Sequence, residues 1–338
     1  MTFSTLKLME TSMKKVLCPL LVSALMASVA SAQTAVKVTL ATGDAIGSLR
    51  NQMGEHLKAE VEKNKALNIT VNHVQGPILG SAAQIMDQVV EGSVQLFGND
   101  LAWGVPYDPD YQPLSFGFTF RDTDQMMKYF GSPVFKATVE KVAASSNLRM
   151  LSPVPLASRM FFSVKPLNTA ADFKGLKVRA PGLEMFVESY KAYGASPTTV
   201  AWNEIFLGLK TKLVEAAHGP VTDVIANKWH LAAPYITKTN DMFAANAWYV
   251  NEAFWKKLDN SQRDGLQKAI DATNQWGMAQ AISKEKEIIA LMVSEGATYS
   301  DSFKDRDILR GQAIEALKKF EKSGKWSRGL VASIDAIK

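Results

Sequence analysis

Two arginines stand where they can grip an anion. Arg179 ends a short apolar run in Lys174-Gly-Leu-Lys-Val-Arg179-Ala-Pro181-Gly182, and Ala-Pro-Gly stops any strand there. In an open α/β layer the carboxyl end of a strand faces the ligand crevice. A guanidinium placed there offers a rigid fork of donors that matches a carboxylate bidentately. Twenty residues upstream, Arg159 opens a second apolar, strand-like run, Arg159-Met-Phe-Phe-Ser-Val-Lys165-Pro166. Two arginines aimed at one crevice make an anion site. The alternative is that each is a surface arginine at the end of its strand.

Other residues with chemistry sit at similar junctions. Asn99 and Asp100 follow an apolar run, with Trp103 and Tyr107 close behind. Asp100 beside an anion needs a hydroxyl, an amine or an arginine to face; otherwise it is a helix cap or a solvated loop carboxylate. Trp202 and Phe206 lie one helical turn apart, so they share a face that either walls a ligand or packs the core. His218-Gly219-Pro220 follows Val214-Glu-Ala-Ala217, another strand end. His218 is either a hydrogen-bonding ligand residue or a satisfied histidine in a turn. Phe116, Phe118, Phe120 and Phe161 read as strand core by alternation.

Enzyme signatures are missing. The chain has no G-x-S-x-G, no G-x-G-x-x-G and no Walker loop, since Gly324-Lys325 is followed by tryptophan. The histidines His56, His73, His218 and His230 show no i, i+4 pairing and no carboxylate at metal-ligand spacing. The expectation is a binding protein with no catalytic residue, no metal and no cofactor. The rival is an exported enzyme that acts on organic acids.

The elements that must position these residues alternate. Residues 36–41 read as a strand ending at Thr42-Gly43-Asp44; Leu49, Met53, Leu57 and Val61 mark an amphipathic helix; residues 69–73 alternate as a second strand. Ser81 caps a helix carrying Ile85, Met86, Val89 and Val90, closed by Gly92, and residues 94–97 form a third strand. This β-α-β-α-β order predicts a largely parallel sheet with the ends at 42–44 and 99–100 on one edge. Helices follow from Asp122 or Thr123, interrupted by Pro133, and the runs 150–154 and 160–164 cross into a second lobe. That lobe repeats the pattern: strand 176–178, helix 184–193, strand 198–200, helix 202–212, strand 213–217, helix 221–229. Residues 246–250 read as a returning strand. A long helix from Asp259 or Ser261 runs toward Met292, either unbroken or split near Gly277, and a basic amphipathic helix covers 317–326.

The chain has 338 residues, 47% of them hydrophobic, enough for one or two cored domains. Its start reads as a secretory leader: basic Met13-Lys14-Lys15, an apolar stretch over 16–29, and Ala30-Ser31-Ala32 as a small-residue cleavage site. Met13 is a candidate true start. The apolar stretch is short for a membrane span. Cys18, the only cysteine, lies early in that stretch, which argues against both a lipoprotein and disulfides. The net charge of +5 falls to about +3 once Lys7, Lys14, Lys15 and Glu10 leave with the leader, and the dispersed basic residues do not read as a nucleic-acid surface. An exported, soluble protein is expected.

The segments Lys174–Arg179, Tyr193-Gly-Ala-Ser-Pro197 and Trp202-Asn-Glu204-Ile-Phe206-Leu-Gly-Leu209 resemble the signature of the TRAP-transporter periplasmic solute-binding family, with similarity densest from Arg159 to Pro220. The resemblance implies an α/β, two-lobe periplasmic-binding-protein fold (type II-like). Each lobe is then a mixed, mostly parallel sheet flanked by helices, and a single long helix braces both. It implies that Arg179 is the main carboxylate-binding arginine, that Arg159 is the second substrate-side arginine, and that Trp202 is the aromatic ligand wall. It also places Asn99 and Asp100 at the substrate. Family members generally carry an amide where this chain has Gly219; the departure removes a polar contact and is expected to leave room. The implied boundaries are a signal peptide over 1–32, one lobe of 33–156 plus about 245–284, and a second of 157–244 plus about 285–338. The implied location is the periplasm, the implied state is a monomer, and the implied partners are a small organic acid and the integral membrane TRAP subunits. Binding proteins of ATP-driven importers or signalling receptors are the alternative of like kind. Trp202, Phe206, Trp103 and Gly219 together suggest a monocarboxylate with an apolar or aromatic body.

Overall fold

The structure, a computed structural model, describes residues 35–338; the expected leader and cleavage site lie outside these. The first three strands are β1 (Val36–Thr42), β2 (Ile69–Gln75) and β3 (Leu96–Asp100), joined by α1 (Leu49–Lys63) and α2 (Ala82–Glu91). β1 pairs in parallel with both β2 and β3, so the chain leaves β1 and β3 on the same sheet edge. The helix-start and helix-stop residues work as their chemistry dictates. Ser81 and Gln84 form a reciprocal capping box, and Gly92 adopts φ 88° to end α2.

The helices α3 (Thr123–Phe130) and α4 (Pro133–Ser146) follow. Pro133 does not break a helix; it starts one, capped by Ser132. Residues 116–120 are buried core, but no strand. Phe118 sits at φ 62°, left-handed backbone that interrupts regular strand pairing. Then β4 (Leu148–Ser158) and β5 (Met160–Ser163) run almost without a break, and the chain passes from one sheet to the other between them.

The second sheet holds β5, β6 (Lys177–Ala180), β7 (Ser196–Thr199), β8 (Ala216–Gly219), β9 (Tyr235–Thr237) and β11 (Thr298–Ser300). Its helices are α5 (Glu184–Ala192), α6 (Ile205–Lys210) and α7 (Val221–Asn227). β10 (Phe243–Asn251) returns to the first sheet, whose order is β2-β1-β3-β10-β4; the second is β11-β9-β5-β8-β6-β7. β9 and β11, three residues each, carry too little pattern to read from sequence.

After α8 (Glu252–Lys257), α9 (Asn260–Ser294) is one unbroken helix of 35 residues, about 52 Å long at 1.5 Å per residue. Asp259 and Gln262 cap it reciprocally. A Cβ at Gly277 would lie 2.7 Å from Met53 Sδ, so glycine there admits α1 rather than breaking the helix. Leu266 and Ile270 of α9 belong to the apolar core under the first sheet, and Met292 to the core under the second. A third core joins the two sheets, holding Phe97 and Tyr249 from the first and Phe161 and Val178 from the second. α10 (Arg306–Lys322) and α11 (Leu330–Asp335) finish the chain, and Gln125 donates to the Ile334 carbonyl at 2.7 Å. Among the described residues no helix is long and apolar enough to cross a membrane.

Candidate functional site

A cavity of about 240 Å³ lies where the two sheets face each other, lined by the loops after β1 and β3, the start of α1, the start of α2 with Gly80 and Ser81, and the segment from β6 to Trp202. Parallel strands with short βα connections open their carboxyl ends into one crevice, which is why residues far apart in sequence converge there. Asn99, Asp100, Trp103, Arg159, Arg179 and Trp202 all line it.

Arg179 is not at the strand end but inside β6, paired with Thr198 of β7. It is 4% exposed. Its Nε donates to the Val200 carbonyl at 2.9 Å, and its guanidinium carbon lies 5.7 Å from the Trp202 ring centre. Among the described residues no carboxylate lies within ion-pair distance of it. Burial first, with nearby Arg159 adding to it, lowers its pKa to about 9 although Tyr190 and Asp100 act in the opposite direction. A buried cation without a counter-ion has a free-energy deficit that an anionic ligand can relieve.

Arg159 has partners. Its Nη1 donates to Asp100 Oδ2 at 3.0 Å, its Nη2 to the His218 carbonyl at 2.9 Å, and its guanidinium covers Phe186 at 5.3 Å. Asp100 also receives Arg50 Nη2 at 3.0 Å on the same oxygen, while its Oδ1 accepts the Ala102 N–H. Asp100 therefore fills two of the roles open to it from sequence: Oδ2 orients arginines, and Oδ1 caps the 3-10 turn over Leu101–Tyr107. Asn99 Oδ1 accepts the Asp100 N–H at 2.7 Å.

Two lining residues went unrecognised in the sequence. Arg50, in the first turn of α1, is 3% exposed and donates from Nη1 to Asp223 Oδ2 at 2.7 Å. Burial works against its charge, but Asp223, Asp100 and Asp44 outweigh it and hold the guanidinium above the ordinary arginine range. Asp44, just past β1, is buried with no hydrogen-bond partner for Oδ2. Desolvation raises its pKa to about 7 against the pull of Arg50, helped by Asp223 and Asp100.

Three expected site residues stand outside the cavity wall. His218 lies within β8 rather than after it, and its ring stacks on Phe161 with centres 4.1 Å apart. Its Nδ1 is 3.3 Å from the Tyr190 hydroxyl and its Nε2 3.4 Å from Asp241 Oδ1, so the side chain points into the core. Burial lowers its pKa, although Asp241 opposes this. Gly219 does not leave room for a ligand. A Cβ there would meet Val224 Cγ2 at 2.9 Å, Trp229 at 3.0 Å and Trp202 at 3.1 Å, because the two indoles pack 4.6 Å apart over the glycine. Phe206 parts from Trp202 because residues 202–204 form a 3-10 turn before α6, which breaks the assumed helical register. Phe206 packs beside the second-sheet core under Lys210. Among the described residues no group of three His, Cys, Asp or Glu side chains has metal-holding geometry.

Residues 45–323 match the model of the bacterial extracellular solute-binding protein family 7. The chain belongs to that family. These are TRAP-type periplasmic solute-binding proteins, not enzymes. The sialic acid-binding periplasmic protein SiaP of Vibrio cholerae is 24% identical over 282 residues, 82% of this chain and 87% of that protein. A TRAP periplasmic solute-binding protein of Roseobacter denitrificans, solved with bound β-D-glucuronate, superposes with a TM-score of 0.84 at 18% identity, covering 89% of this chain and all of that one. Another from Polaromonas sp. JS666, bound to D-erythronate, gives 0.83 at 19% identity over 90% of this chain and 99% of that one. The family's fold is thus the fold seen here, two mixed α/β sheets flanked by helices.

Proposed function

We propose that this protein captures a small organic carboxylate in the cavity between its sheets and delivers it to the membrane subunits of a TRAP transporter. The observation that carries the reading is Arg179, a buried guanidinium with no carboxylate partner on the cavity wall. An incoming carboxylate gives it two charge-assisted hydrogen bonds in a site largely shut from water, where such a pair gains most. Arg159 stays with Asp100 and adds positive potential. The Trp202 indole, stacked on the Arg179 guanidinium, forms the apolar wall. Asp44 adds an acceptor, or a donor when protonated, so the ligand carries a hydroxyl or an amine as well as an acid. This replaces a purely apolar body, since Phe206 and His218 lie elsewhere and Asp44 lies in the cavity. Relatives with bound glucuronate and erythronate, both hydroxy acids, support the same class.

The lobes are residues 33–156 plus about 245–284, and 157–244 plus about 285–338. β10, which starts at Phe243, supports the return point. Lys325, which donates to Glu184 at 2.7 Å, keeps α10 with the second lobe, whereas the bonds from Ser327 to Asp110 and from Gln125 to Ile334 assign residues from about 327 onward to the first. Ligand would favour the closed arrangement, in which both lobes touch it. Export as a periplasmic protein, with cleavage near Ala32, completes the reading. Thermal unfolding of the purified protein against a panel of organic acids and uncharged sugars tests it. Stabilisation by acids alone is expected; stabilisation by uncharged sugars and by no acid refutes it.

A further inference from the structure

The charges around the cavity are unevenly matched. Three guanidiniums line it, those of Arg50, Arg159 and Arg179. Two carboxylates hold the first pair: Asp100 Oδ2 is 3.0 Å from both Arg50 and Arg159, and Asp223 Oδ2 is 2.7 Å from Arg50. Asp223 lies at the start of α7, on the second sheet's side, and is not part of the cavity wall. It is fully buried and also accepts the Arg50 main-chain N–H at 3.3 Å. Arg179 is left over.

We propose that Asp223 sets the charge of the ligand: by occupying Arg50 it leaves the cavity one free guanidinium, and so selects monocarboxylates over dicarboxylates. The proposal rests on the reading that Arg179 receives the ligand's carboxylate. Asp223 does not touch the ligand; it is a positioning residue that acts through Arg50. A second carboxylate entering the cavity finds no uncommitted cation. It must either draw Arg50 away from Asp223, stranding a buried carboxylate, or lie beside Asp100, which repels it. Selectivity then arises from what the site withholds as much as from what it offers. With Asp223 neutral, Arg50 Nη1 loses its charged partner while Nη2 stays on Asp100, and the cavity is left with one more unbalanced positive charge than Arg179 alone supplies.

Matched acids test this by calorimetric titration of the full chain: four-carbon D-erythronate against meso-tartrate, and six-carbon D-glucuronate against D-glucarate. The wild type binds the monocarboxylate of a pair more tightly. Asp223→Asn raises the dicarboxylate-to-monocarboxylate affinity ratio at least tenfold. The paired change Arg50→Gln with Asp223→Asn removes the freed cation and restores preference for the monocarboxylate. A merely structural Asp223 weakens both acids alike and leaves the ratio unchanged, which overturns the proposal; so does a wild type that prefers dicarboxylates. Should the asparagine variant not fold, Asp223→Ser takes its place; failure of both to fold makes Asp223 structural, and the proposal falls. A wild type that binds no acid of a broader panel overturns the proposed function itself, and this inference with it.

Discussion

Arg179→Met separates binding from folding. The guanidinium is held near pKa 9, more than three tenfold steps below its ordinary value, chiefly by burial. At about 1.4 kcal/mol per tenfold step, keeping it charged at pH 7 costs the empty protein on the order of 5 kcal/mol. The sign follows from the protonation states. Folded and unfolded arginine are both charged at pH 7, so the cost is fully present there and eases only as pH rises past 9. Methionine fills a similar volume without charge. It forfeits the Nε bond to the Val200 carbonyl and the contact with Trp202, together about 2 kcal/mol. The variant should therefore be more stable than the empty wild type by roughly 2–3 kcal/mol, a rise of about 5 °C or more in Tm. The same change removes the ligand's counter-ion, worth roughly 3–5 kcal/mol, so affinity for the acid falls at least a hundredfold. Differential scanning calorimetry without ligand and titration with it measure the two halves. A variant less stable than wild type by several kcal/mol, or one that binds acid within tenfold of it, refutes the argument.

Asp44 gives the opposite sign and a pH window. Its carboxyl keeps a proton to about pH 7 when folded but only to about 3.8 when unfolded. The folded state thus binds the extra proton between those values, and stability falls as pH climbs through them. Asp44→Asn lacks this loss, so denaturant unfolding should show it more stable by on the order of 4 kcal/mol at pH 8 and by little at pH 4; an equal gain at both values contradicts the assignment. Gly219→Ala must push Val224 aside, and crowds Trp229 and Trp202 behind it. A loss of about 1–3 kcal/mol with altered tryptophan fluorescence is expected, and an unchanged spectrum and Tm would show the space to be free. Ser81→Ala removes the cap of α2 and should cost about 1 kcal/mol in urea unfolding; an unchanged denaturation midpoint would show that the cap contributes nothing.

Local chemistry made much of this fold readable. Ser81 with Gln84, Gly92 at positive φ and Asp259 with Gln262 each settle a helix end within a few residues, and those ends appear where expected. The apolar period of α1 and the alternation of β2 were equally plain. Strand ends that share an edge point Arg159, Arg179, Asn99 and Asp100 toward one crevice, whereas the ligand roles of Trp202, Asn99 and Asp100 rest on the family resemblance. Arg50 was hidden by the same logic: beside the stripe of Leu49 and Met53 it reads as a solvated helix residue, and only the approach of α7 from the other sheet buries it. Asp44 was visible as a strand end but not as a desolvated one, since desolvation is a property of what packs around it. His218 was misplaced by boundary. β8 starts at Ala216 and runs through Gly219, so a histidine expected in a turn sits inside the ladder, and its ring goes to the core face. Gly219 was judged by what it lacks, whereas its meaning depends on two tryptophans that converge from separate turns.

A rod of 35 residues rooted in two oily interiors has a thermodynamic consequence. Heat cannot dissolve the interior around Leu266 and Ile270 without exposing part of α9, and the far end of the same rod carries Met292 into the other interior. Each half thus borrows order from its neighbour, and the polypeptide should melt as one calorimetric unit despite having two sheets. The same backbone limits travel: a stiff strut shared by both halves lets them swivel about its length more readily than slide apart.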